Sequence, residues 1–148
     1  MQKDRDQIFL AEALKLAKEG LYTTHPNPRV GCLLVKDDAV IGRGYHAKAG
    51  EAHAEVIALK EAGANAKGAT AYVTLEPCSF HGRTPACANA LIEAGVKRVV
   101  AAMTDPHPRN RGNGFDMLEA AGVEVVRGAA SDAARALNPG HVSLHERG

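Results

Sequence analysis

The sequence predicts an α/β fold, a three-layer α/β/α sandwich built on a five-stranded mixed sheet. Three observations carry that expectation. After residue 50, short apolar runs alternate with helical patterns, the order that produces strand-helix-strand crossovers and parallel strand pairs. Before residue 50, two apolar runs are separated only by Lys36-Asp37-Asp38, which reads as a hairpin and adds an antiparallel edge. The chain has 148 residues, the size of one domain, and can bury roughly two-thirds of its unfolded surface without help from a metal.

The elements follow in order. Leu10, Ala13, Leu14, Ala17 and Leu21 recur at helical spacing, with Glu12, Lys15, Lys18 and Glu19 on other faces, so a helix is expected from about Asp6 to Glu19, stopped by Gly20. The two prolines of Thr23-Thr24-His25-Pro26-Asn27-Pro28 forbid both helix and central strand, which leaves a loop suited either to holding a ligand or to plain connection. Val30 to Val35 and Val40 to Tyr45 are the hairpin strands. Gly42-Arg43-Gly44 in the second of them precedes no helix, so it is not a dinucleotide fingerprint. Glu51 to Ala62 is helix-forming and ends at Gly63, Ala71 to Leu75 is a third strand, and Thr84-Pro85 opens a helix with apolar face Ala88, Leu91, Ile92 and a stop at Gly95. Lys97 to Met103 is a buried strand, Thr104 to Pro108 a second proline-locked loop, Gly114 to Ala121 a short helix, Val123 to Val126 a fifth strand and Ser131 to Leu137 a last helix. Internal repeats are absent.

Composition narrows the function classes. The formal net charge of +1 provides no global basic field for nucleic-acid phosphates, so no nucleic-acid partner is expected. No apolar run approaches the ~20 residues that cross a bilayer, and the polar start Met1-Gln2-Lys3-Asp4-Arg5-Asp6 is no secretory signal. No membrane association and a cytoplasmic location are expected. Three cysteines are too few and odd in number for a disulfide framework. Cys32, within an apolar strand, reads as a small buried residue.

The chemistry concentrates in His53-Ala54-Glu55, then Glu76-Pro77-Cys78, then Cys87. One imidazole and two thiols can give three ligands to a tetrahedral Zn²⁺ and leave the fourth position to water, the arrangement of a catalytic rather than a structural zinc. Glu55, two residues beyond His53 in a helix, need not point at the metal and can carry protons instead. The positive end of that helix favours an anionic Glu55 and a neutral His53. His-x-Glu followed by Pro-Cys and a second Cys is the pattern of zinc nucleobase deaminases, although here the second Cys is displaced by Ser79 to Ala86. Purely structural buried cysteines are the competing explanation. His46, at the end of the second strand, is either a surface residue or part of the same site.

Thr24-His25-Pro26-Asn27-Pro28-Arg29-Val30-Gly31, Gly44-Tyr45-His46, Gly50-Glu51-Ala52-His53-Ala54-Glu55-Val56, Thr74-Leu75-Glu76-Pro77-Cys78-Ser79, Gly82-Arg83-Thr84-Pro85, Cys87, Asp105-Pro106 and Leu137-Asn138-Pro139-Gly140 are motifs that recur together in one family. By them the sequence, from about residue 9 to 140, resembles the deaminase domain of the bifunctional riboflavin-biosynthesis deaminase/reductase family, within the cytidine-deaminase-like superfamily. The eight residues between Cys78 and Cys87 are characteristic of this branch.

The resemblance implies a cytidine-deaminase-like fold and hydrolytic removal of the 2-amino group from 2,5-diamino-6-ribosylamino-4(3H)-pyrimidinone 5′-phosphate, a small phosphorylated ribosylaminopyrimidine. It implies His53, Cys78 and Cys87 as zinc ligands, Glu55 as proton shuttle, and a homo-oligomer, dimer or tetramer. Asn27, His46, Arg83 and Asp105 match positions that line the base, ribose and phosphate sites, where a guanidinium fork suits phosphate. Two positions depart from the family pattern: Phe80 stands where a His is usual after Cys-Ser, and His107 where an Asn is usual after Asp-Pro. Phe80 cannot donate a hydrogen bond, so either His81 takes that role or the ligand differs there. Residues 1–148 are expected to form a single deaminase domain with no reductase in this chain. The alternatives are a stand-alone deaminase of a related aminopyrimidine, nucleoside or base, and a non-catalytic zinc-binding module.

Overall fold

A computed structural model describes residues 2–18, 30–45, 54–74, 77, 87–103 and 112–128. Helix α1 spans Gln2–Lys18, strands β1 Gly31–Lys36 and β2 Ala39–Tyr45, helix α2 Ala54–Ala62, strand β3 Thr70–Val73, helix α3 Cys87–Glu93, strand β4 Arg98–Ala101, helix α4 Asn113–Ala120 and strand β5 Glu124–Val126. The five strands form one mixed sheet in the order β2-β1-β3-β4-β5. β1 is antiparallel to both β2 and β3, whereas β3, β4 and β5 are parallel. The early hairpin and the later crossovers thus stand as the sequence predicts.

Alternation along each strand divides the core in two. Cys32, Leu34, Ala71, Val73, Val99 and Ala101 face one way, into a cluster closed by Ala54, Ala58 and Ala62 of α2, Ala88 and Leu91 of α3, and Phe115 and Leu118 of α4. Leu33, Val35, Tyr72 and Val100 face the other way, against Leu10 and Ala13 of α1. Helices on both faces of one sheet make the three layers.

Local chemistry explains the boundaries. Asp37 and Asp38 both take positive φ, 52° and 61°, the type I′ conformation whose twist matches a two-residue hairpin. A register shift follows at once: Val35 faces Val40 but Leu34 faces Gly42, so Ile41 is the extra residue of a bulge. The bulge turns Gly42 and Gly44 toward α2. The differences from expectation are small, and β3 is among them, ending at Val73 with Thr74 outside the strand. α1 begins at Gln2 rather than near Asp6, because Asp6 is an interior, bonded residue of the helix rather than its start. Gly63, at φ +56°, ends α2 as expected, but a 3₁₀ turn, Gly63–Ala66, follows that the sequence does not announce. β4 keeps only Arg98–Ala101 of the expected 97–103 run. The expected loops at Thr23–Pro28 and Thr104–Pro108, the helix stop at Gly20, and the helix at Ser131–Leu137 lie outside the described residues.

α1 is fastened to the sheet by a polar pair set within the apolar layer. Arg98 donates to both carboxylate oxygens of Asp6, at 2.8 and 2.6 Å, and its Nε donates to Glu124 at 2.7 Å. The Tyr72 hydroxyl donates to the same Asp6 at 2.8 Å. Such a fork is satisfied on both sides, as a buried charge requires.

Candidate catalytic site

The start of β1, the end of β2 and the end of β3 lie together on one edge of the sheet. Gly31 pairs with Tyr45 across one ladder, Cys32 with Val73 across the next, and the Thr74 N–H donates to the Gly31 carbonyl. The parallel pairing of β3 and β4 adds the end of β4, Ala101, to the same edge. In a sheet of this kind, ligands bind beyond the carboxyl ends of parallel strands. The sequence-predicted residues adjoin these ends along the chain: Asn27 precedes Gly31, His46 follows Tyr45, Cys78 follows Thr74, and Asp105 and His107 follow Met103.

Two helices begin at this edge because crossover helices run back against their strands. Glu55 lies in the first turn of α2, buried at 3% exposure. Cys87 is the first residue of α3, buried at 1% exposure, its thiol reduced. At a helix N-terminus, the unpaired amides and the helix field stabilise a carboxylate and favour the thiolate form of a cysteine. A cysteine thiolate is a common zinc ligand, so the donor chemistry of Cys87 fits zinc.

Beneath α2 lies Cys32, opposite Gly44 in the β1-β2 register and buried in the same cluster as Ala54 and Ala58. Burial, and then the charge of Glu55, push the Cys32 thiol well above its ordinary range, so it stays a neutral S–H. Cys32 is the buried strand residue that the sequence predicts; its closeness to Glu55 is the structural addition. Thr74 is a second addition. Its hydroxyl, on a residue only 2% exposed, accepts the Gly31 N–H at 3.0 Å. The only sequence signal for it is a polar residue closing an apolar strand before Leu75-Glu76-Pro77-Cys78.

Of the predicted site residues, the structure therefore brings Glu55 and Cys87 to helix starts at one sheet edge. His53, Cys78, Asn27, His46, Phe80, His81, Arg83, Asp105 and His107 lie outside the described residues. Among the described residues no group of three His, Cys, Asp or Glu stands together, and no helix is long and apolar enough to cross a membrane.

Comparison with known proteins gives a consistent set of similarities. Residues 3–103 match the family described as "Cytidine and deoxycytidylate deaminase zinc-binding region". The chain is 56% identical over 144 residues to riboflavin biosynthesis protein RibD of Escherichia coli (strain K12), covering 97% of this chain and 39% of that protein. It is 44% identical over 136 residues to the diaminohydroxyphosphoribosylamino-pyrimidine deaminase of Buchnera aphidicola subsp. Schizaphis graminum, covering 92% of each. Among solved structures, Acinetobacter baumannii RibD, form 1, superposes with a TM-score of 0.94 at 54% identity over 97% of this chain and 40% of that one. The chain thus spans about two-fifths of the RibD proteins it matches.

Proposed function

The chain belongs to the zinc-binding family of cytidine and deoxycytidylate deaminases, and on that premise we propose that it is a hydrolytic deaminase. The substrate we assign is 2,5-diamino-6-ribosylamino-4(3H)-pyrimidinone 5′-phosphate, which loses its 2-amino group as ammonia. The observation that carries the activity is the buried Glu55 in the first turn of α2, on the sheet edge where Cys87 opens α3. The likeness to a diaminohydroxyphosphoribosylamino-pyrimidine deaminase over 92% of both chains supports the substrate class.

In this proposal His53, Cys78 and Cys87 hold a zinc ion. Bound there, zinc would supply acidity, lowering the pKa of a water toward neutrality. The chain's own residues do the rest. A Glu55 carboxylate oxygen accepts one proton from the attacking water as the C–O bond forms at the ring carbon bearing the amino group, and passes that proton to the adjacent ring nitrogen. Glu55 then takes the second water proton and delivers it to the amino group, so that the C–N bond breaks, ammonia leaves and a ring carbonyl remains. Burial of Glu55 keeps bulk water from competing for those protons. Asn27, His46 and Asp105 are assigned to the base and ribose, and Arg83 to the phosphate, where its planar fork can donate two parallel bonds. Phe80, His81 and His107 are assigned to the same pocket.

Ammonia release by zinc-loaded protein tests the proposal, with the ribotide, its dephosphorylated form, cytidine and guanine assayed in parallel. Preferred turnover of the ribotide is the expected result. Preferred turnover of cytidine or guanine would overturn the substrate assignment, and no turnover of any of the four by zinc-loaded protein would overturn the proposed activity.

A further inference from the structure

We infer that Gly44 is a positioning residue for Glu55, setting the depth at which the first turn of α2 lies on the sheet. The inference rests on the proposed role of Glu55. A Cβ added at Gly44 would stand 2.1 Å from the Ala54 carbonyl oxygen and 2.9 Å from the Ala58 nitrogen. Both are backbone atoms, so no side chain can turn aside to relieve the contact. Helix and strand would have to separate by roughly 1 Å to reach even a tight contact. Ala54 immediately precedes Glu55, so that separation displaces the carboxylate itself.

The other end of α2 would not follow. Gly42, two residues earlier on β2, lets Ala58 approach in the same way, its added Cβ falling 2.3 Å from the Ala58 oxygen. Glu61, in the last turn, accepts the Arg43 N–H at 2.7 Å. With that end held, substitution at Gly44 tilts the first turn rather than lifting the whole helix. Gly42-Arg43-Gly44, no nucleotide fingerprint, then acquires a purpose: each glycine admits one helical turn, and the bulge at Ile41 turns both toward α2. Only the Gly44 turn carries Glu55.

The test compares wild type, Gly44→Ala and Gly42→Ala for melting temperature, bound zinc, kcat and KM in the ammonia assay. The two substitutions meet backbone carbonyls at nearly equal distances, so Gly42→Ala measures the general cost of crowding α2. Gly44→Ala is expected to change KM less than roughly threefold and to lose kcat per bound zinc by about 100-fold, the order of loss a 1 Å misplacement causes. Gly42→Ala is expected to lose at least roughly tenfold less. Equal kcat losses in the two variants, an unchanged kcat in Gly44→Ala, or a loss that tracks missing zinc would overturn the inference. Should Gly44→Ala fail to fold, Cys32→Val carries the same criteria, because Cys32 lies opposite Gly44 and next to the same turn. Its kcat-selective loss supports the inference and its unchanged kcat overturns it. A wild type without turnover sinks the deaminase proposal, and this inference with it; an active wild type with an unaffected Gly44→Ala sinks this inference alone.

Discussion

Gly31 and Thr74 are tied to each other twice: the Gly31 N–H donates to the Thr74 hydroxyl at 3.0 Å, and the Thr74 N–H donates to the Gly31 carbonyl at 3.2 Å. The second bond extends the β1-β3 ladder by one pair, and the first takes a side chain to do it. Along the chain Gly31 comes just after Thr23–Pro28, and Thr74 just before Cys78. The clamp therefore joins the chain leaving one predicted site segment to the chain entering another. Gly31 is itself pressed against α1, where an added Cβ would stand 2.1 Å from the Ala13 oxygen.

Thr74→Val keeps the shape and removes the acceptor, which strands a buried backbone N–H. The expected cost is about 1–3 kcal/mol of stability, read as a lowered urea midpoint, with Thr74→Ser losing less than about 1 kcal/mol. Equal midpoints for the valine variant and wild type would show that the Gly31 amide finds another acceptor.

Arg98→Ala removes the guanidinium fork and leaves the buried Asp6 carboxylate without its cation, a change expected to cost about 3 kcal/mol. Glu124→Ala removes the outer partner, whose side chain is 66% exposed, and is expected to cost under about 1 kcal/mol. Tyr72→Phe should fall between them at about 1 kcal/mol, since Asp6 keeps its charged partner. Chemical denaturation of the three variants ranks the partners; an Arg98 variant no weaker than the Glu124 one would refute the buried-pair account.

Alkaline pH should expose two buried protons. Burial holds Cys32 as a thiol well above its ordinary range, and burial together with the Asp6 hydrogen bond raises the Tyr72 phenol. Both folded-state values are raised, so the folded chain keeps protons that the unfolded chain releases. The associated stability is fully present below about pH 8.5, where the unfolded thiol is still protonated, and declines as pH rises further. Each such group contributes at most about 1.4 kcal/mol per pH unit. Urea midpoints between about pH 7 and about pH 9.5 should fall less steeply in Cys32→Ala than in wild type; parallel slopes would mean that the thiol titrates alike in both states.

What the sequence made legible follows from how local each signal is. The Leu10-Ala13-Ala17 spacing announces α1 because three or four residues settle a helical face, and the paired aspartates announce the hairpin because a tight turn is chemically selective. Asp6 was misread as a helix start because its partner Arg98 is 92 residues away. Nothing near either residue signals the pair. Gly63, at positive φ, ends α2 as the sequence predicts, and the short 3₁₀ turn Gly63–Ala66 has no periodicity of its own to announce it. Glu55 and Cys87 stand out in the sequence as candidates because proton transfer and metal binding admit few residue types, and the structure sets both at helix starts. Thr74 and Gly44 do not stand out, because a hydroxyl or a missing Cβ acquires meaning only from the backbone that approaches it.

Glu55→Gln separates proton transfer from metal binding in the same buried place. Glutamine preserves the size of the side chain but cannot accept and return the water protons, whereas it leaves His53, Cys78 and Cys87 intact. The variant should fold, hold zinc at the wild-type ratio and lose kcat by about 10²–10⁴-fold. Cys87→Ser, which replaces a thiolate with a weakly acidic hydroxyl at the start of α3, should lose zinc and turnover together. Metal content by atomic absorption and ammonia release on the same samples read both outcomes. Zinc missing from the glutamine variant would show that Glu55 holds the metal, and the division of roles between carboxylate and ligands would then fail.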